Sequence, residues 1–97
     1  MFISQVLFES TPENKRTMEK ILNVKRTQLE GAEGLLASEF WWRETGNSSG
    51  FSMVTKWQAK EDFQLWMKES HKGGHKRPEG ADIEINKTAY QFDFVDG

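Results

Sequence analysis

Two of the chain's four tryptophans and both of its histidines fall between Trp57 and Arg77. Imidazole binds metals and exchanges protons near neutral pH, and indole presents a broad apolar face. Their proximity makes a metal or a flat aromatic ligand the first chemistry to consider. His71 and His75 have the spacing of two zinc ligands on one helix face. Gly73 and Gly74 interrupt such a helix, however, and two ligands do not complete a zinc site. His75 alone, after two glycines that permit close approach of a large group, is a candidate ligand. An imidazole near a helix end also serves simply to compensate the helix dipole. Trp66 forms a helical stripe with Phe63 and Met67, a pattern that packs onto a sheet as well as it lines a pocket.

Other chemistries lack their residues. The chain has no cysteine, which excludes disulfides, thiolate metal sites and a cysteine nucleophile. Gly46-Asn47-Ser48-Ser49-Gly50 spells Gly-x-Ser-x-Gly but falls in a turn between two strands rather than at a strand-to-helix elbow, and no glycine-rich phosphate loop is present. A net charge of -2 gives no electrostatic case for nucleic acid or an acidic membrane surface. Basic residues along Lys15, Arg16, Lys20, Lys25 and Arg26 read as a solvated face, with one or two available to pair with ligand carboxylates. No apolar run is long enough to span a bilayer, and Met1–Phe8 lacks the basic region of a signal peptide. A reducing, cytoplasmic setting is the expectation.

The elements that must position these residues follow from their periodicity. Phe2–Phe8 reads as a strand. Thr11, Pro12 and Glu13 then suit an N-cap, a first helical position and the positive end of the dipole. Met18, Ile21, Leu22 and Leu29 carry helical spacing up to a turn at Gly31 and Gly34. A second strand over Leu35–Glu44 and a third over Phe51–Trp57 flank the turn residues Gly46 to Gly50. A second helix covers Lys60–Glu69, and an irregular connection through Gly73-Gly74 and Pro78-Glu79-Gly80 follows. The last strand, Thr88–Val95, alternates Thr88, Tyr90, Phe92 and Phe94 against Ala89, Gln91, Asp93 and Val95. The order βαββαβ is the split βαβ arrangement: an α+β, ferredoxin-like fold with two helices on one face of an antiparallel sheet, spanning residues 1–97 as one domain.

Aromatic residues make up 12% of the chain, more than a domain of this size buries easily. Neighbouring strand residues such as Trp41 and Trp42, or Val6 and Leu7, are apolar on both faces. A sheet apolar on both faces needs a second partner, and a homodimer packing sheet against sheet is the economical answer.

This element order, with Trp57-x-x-x-Glu61-Asp62-Phe63-x-x-Trp66 and a downstream His75-Lys76, resembles the antibiotic biosynthesis monooxygenase superfamily. It is most similar to the haem-degrading branch, the IsdG/HmoA/MhuD-like monooxygenases. The likeness is strongest from Met53 to Arg77, and the element order extends it over nearly the whole chain. The resemblance implies a dimeric β-barrel with a haem pocket between sheet and helices. By the same resemblance His75 would be the proximal iron ligand, and Trp66 the ring that pushes the porphyrin out of plane. Phe63 would line the pocket, and Arg26 would lie near the propionates. Haem would be both cofactor and substrate, opened by dioxygen with electrons from a reductase or a small external reductant, releasing iron.

The branch usually carries an asparagine on the first strand, where this chain has Leu7, with Gln5 the nearest amide. Asn14 and Asn23 fall in or beside the first helix and do not replace it, and His71 offers an alternative imidazole. Three readings stay open: a haem-degrading monooxygenase, a cofactor-free oxygenase acting on a quinol or polyketide-like aromatic, and a non-catalytic haem-binding dimer.

Overall fold

The computed structural model describes residues 1–72 and 83–95, the side chains of 71 and 72 excepted. Its elements are β1 (Phe2–Ser10), a 3-10 turn (Pro12–Asn14), α1 (Lys15–Gln28), β2 (Leu35–Glu44), β3 (Ser49–Trp57), α2 (Lys60–Lys72) and β4 (Asn86–Asp93). This is the expected α+β, ferredoxin-like βαββαβ order. The four strands form one open antiparallel sheet in the order β2-β3-β1-β4.

Strand pleating divides β1 cleanly between two faces. Phe2 and Phe8 join Met18 and Ile21 of α1, Leu29 just after it, Phe51, Met53 and Trp57 of β3, and Phe63 of α2 in one core. Both helices therefore cover the same side of the sheet. Phe8 stacks on Phe51 across the β1–β3 pair, with centroids 5.0 Å apart. Central β3 is buried almost throughout because it has a neighbour on either side and helices above.

The opposite face carries Ile3, Gln5, Leu7 and Glu9 of β1, paired with Lys56, Val54, Ser52 and Gly50. Trp41 on β2 and Tyr90 and Phe92 on β4 share this face, about half exposed at 53%, 49% and 48%. The sheet is thus apolar on both sides, with aromatic rings along both margins of the open one. Ion pairs stitch it, Arg43 to Glu9 at 2.6 Å and Lys56 to Glu39 at 3.3 Å.

Several local expectations differ from what forms, among them β3, which opens at Ser49 inside the expected turn, and α2, which runs on to Lys72. Thr11 precedes a 3-10 turn rather than α1, and its side chain caps no helical N–H. Its hydroxyl instead bonds to the Glu13 carboxylate, which also takes its own backbone N–H; the latter, then the former, holds that carboxyl below its usual range. β1 runs on to Ser10 because Glu9 and Ser10 still pair with Gly50 and Ser49. β4 starts at Asn86, opposite Glu9, two residues before its alternation begins, and ends at Asp93. The turn at Gly31 and Gly34 forms as expected, with both glycines at positive φ.

Candidate functional site

Trp66 sits on α2 half-buried against the core. Helical spacing puts it on the same stripe as Phe63, which is buried between Phe2 and Trp57 at centroid distances of 5.3 and 5.8 Å. Phe63 is therefore part of the packed floor, and Trp66 is the ring above it at the rim. The Trp66 ring lies 5.7 Å from Trp57, tilted by 42°. Trp57 is completely buried and gives its indole N–H to the Thr55 hydroxyl at 2.8 Å.

The Trp66 N–H donates to the Gln28 backbone carbonyl at 3.0 Å. Gln28 ends α1, where carbonyls lack partners within the helix. The Trp66 side chain supplies one and ties α2 to the end of α1. Next on α2, the Ser70 hydroxyl donates back to the Trp66 carbonyl at 2.8 Å. The arrangement can present a fixed, flat apolar wall.

Arg26 approaches the sheet elsewhere. Its guanidinium lies 5.3 Å from the Phe40 ring centroid on β2, a cation–π contact. At the β1–β4 side, Lys25 and Lys87 approach the Phe8 ring at 5.6 and 5.7 Å. Positive charge thus flanks the helix-facing aromatic layer on two sides. Leu7 lies on the sheet face away from the helices, because it pairs with Ser52 and Thr88 while Phe8 pairs with Phe51 in the core. Gln5 shares that outer face and donates to the Ser52 hydroxyl at 3.2 Å. On its inner face β1 presents Phe2, Ser4, Val6 and Phe8 toward the helices, with no amide among them.

Of the five residues singled out in the sequence, the structure brings Trp66 and Phe63 together. It puts Arg26 over Phe40 and Leu7 on the other side of the sheet. His75 lies outside the described residues, as do the side chain of His71 and the connection through Gly73 and Pro78. Among the described residues no group of three or more His, Asp or Glu side chains is placed to hold a metal ion. Two contributors went unread in the sequence, Thr55 and the Gln28 carbonyl. Thr55 left a trace, since residues two apart on a strand share a face and its hydroxyl could have been matched to Trp57. A backbone carbonyl leaves none.

No protein-family model and no curated protein matches the chain. Solved structures do. A mutant of MhuD with two manganese protoporphyrin IX bound per active site superposes with a TM-score of 0.78 at 18% identity, covering 100% of this chain and 97% of that one. The heme-degrader MhuD from Mycobacterium tuberculosis, with two hemes in its active site, gives 0.60 at 18% identity over 98% and 99%. SnoaB from Streptomyces nogalater, a cofactor-independent oxygenase studied as a mutant, gives 0.68 at 11% identity over 99% and 95%. The chain thus has the ferredoxin-like fold used both by a haem degrader and by an oxygenase that needs no cofactor.

Proposed function

We propose that the chain is a haem-degrading monooxygenase acting as a homodimer, each copy a single domain over residues 1–97. The observation that carries this reading is Trp66: a half-buried indole, fixed at its N–H, on the helix that leads to His75. The fold likeness to MhuD supports it. The described residues fit a flat, apolar, carboxylate-bearing guest. Trp66 would offer a face for the macrocycle with Phe63 and Trp57 behind it, and Arg26, which lies apart over Phe40, would have to reach the carboxylates from there. His75 would hold the iron through a neutral imidazole, with His71 as the alternative. Bound haem would supply the redox and oxygen chemistry and be consumed in it, with electrons from an external reductant. The protein's part is to bind, orient and distort the guest and to keep water from it. Trp41, Tyr90 and Phe92 on the open sheet face would be covered by the second copy, completing a barrel.

Hemin titration tests the reading. A Soret band that His75→Ala removes, and that bleaches with iron release when ascorbate is added in air, is the expected result. No spectral change on adding hemin would overturn it. A second reading, a haem-binding dimer without turnover, is favoured by one observation: the helix-facing side of β1 carries no amide, since Gln5 and Leu7 both face away. In that case the Soret band survives ascorbate and oxygen.

A further inference from the structure

Both indoles of the Trp57–Trp66 pair have their N–H groups committed, and to partners on different elements. Trp57 donates to Thr55 within β3, and Trp66 donates to the Gln28 carbonyl at the end of α1. Free aromatic pairs settle into offset-stacked or edge-to-face arrangements. The 42° tilt at 5.7 Å is neither, and Phe2–Phe63 takes a like tilt of 39° through packing alone. What the indole pair has in addition is a hydrogen bond holding each ring. Rotation of either indole about its broad χ2 well would break its bond. For Trp57 and Thr55, 0% and 1% exposed, no water is at hand to replace the lost partner.

We infer that Thr55 and the Gln28 carbonyl are positioning groups that set the plane of the Trp66 wall against which a flat ligand stacks. Thr55 acts through Trp57, the ring behind the wall, and the Gln28 carbonyl acts directly on the Trp66 N–H. The wall is thereby referenced to β3 and α1 together, so its angle follows the packing of α1 on the sheet. The inference rests on the proposed site in one respect, that the ligand contacts Trp66.

The test compares Thr55→Val, which keeps the shape and removes the acceptor, with Thr55→Ser, which keeps the hydroxyl. In the protein without added ligand, circular dichroism reports the exciton couplet of the two neighbouring indoles. Thr55→Val should lose most of it and Thr55→Ser should retain it. With hemin, Thr55→Val should bind about fivefold more weakly, the worth of one displaced hydrogen bond. Its resonance Raman out-of-plane bands should move toward those of a planar porphyrin. A Thr55→Val protein with a wild-type couplet and wild-type bands would overturn the inference. Indole N–H exchange in the unaltered protein decides the matter without any variant. Trp57 and Trp66 should be protected relative to free tryptophan, and a Trp66 N–H exchanging at the rate of the free amino acid refutes the pinned wall. If hemin gives no Soret band, the haem reading fails while the couplet and exchange still judge the positioning.

Discussion

Replacing Trp66 by phenylalanine keeps an aromatic ring on the stripe but removes the donor to Gln28. The missing hydrogen bond costs about 1 kcal/mol net, since the carbonyl at the end of α1 can turn to water. Aromatic side chains differ in burial by tens of Å2; with Trp66 half-buried, the smaller ring forfeits roughly 20 Å2 of contact, or about 0.5 kcal/mol. The sum, about 1.5 kcal/mol, lowers Tm by about 6–12 °C for a domain of this size. Gln28→Ala is the informative control. Because the acceptor is the backbone carbonyl, trimming the Gln28 side chain leaves the bond in place and should shift stability by no more than about 0.5 kcal/mol. Urea unfolding followed by circular dichroism at one fixed chain concentration measures both variants. A Trp66→Phe protein within error of the parent, or a Gln28→Ala protein damaged as much as Trp66→Phe, would refute the reasoning.

Other outcomes follow from other parts of the fold. Gly34 combines φ of +82° with the Asp62 side chain lying where a Cβ would go, so Gly34→Ala should cost about 1–3 kcal/mol in urea unfolding; a cost near zero would contradict the geometry. Met18, on the sheet-facing side of α1, is fully buried, and Met18→Ala should lower stability by about 2–5 kcal/mol through the cavity it leaves, read as a lower urea midpoint with unchanged slope. Phe92→Lys places a charge on the open sheet face and should shift the protein from dimer to monomer in sedimentation equilibrium. An unaltered protein that is already monomeric there would remove the basis of the proposed dimer.

The acid limb of the stability curve should respond to Glu44. Lys15, and after it the Trp42 N–H, hold this carboxyl below its usual range. A carboxyl whose folded pKa is depressed contributes stability above its unfolded pKa and loses that contribution as pH falls through the folded value. The difference between Glu44→Gln and the parent should therefore be present at neutral pH and vanish in acid, as urea midpoints across that range will show. It should be small, because both partners are exposed and salt screens the pair. On the alkaline side Lys15, raised mainly by its hydrogen bond to Glu44, keeps its part until pH passes above the usual lysine value.

Most elements were legible because their signals are local. Helical spacing in Met18, Ile21, Leu22 and Leu29, glycines after it, and alternation through Tyr90 and Phe92 each act over a few residues. The strand boundaries were misplaced where long-range pairing decides them. β4 begins at Asn86 because Asn86 and Lys87 find partners in Glu9 and Phe8, not because their own types favour a strand. The ring above the core, Trp66, was legible as a residue type at a helical position, whereas the partner of its N–H was not.

The amino-acid order alone determined the fold class, the apolarity of both sheet faces and the placing of Trp66 on the stripe of Phe63, since each is a matter of period and composition. Tertiary structure decided which face each strand residue takes. A shift of one residue moves a side chain through the sheet, and the pairing of β1 with β3 and β4 sends Leu7 and Gln5 outward while Val6 turns toward the helices. It also decided what holds the tryptophans. Trp66 became a fixed wall only when folding brought the end of α1 within 3.0 Å of its N–H, a bond to a backbone carbonyl that every residue possesses and no residue type announces.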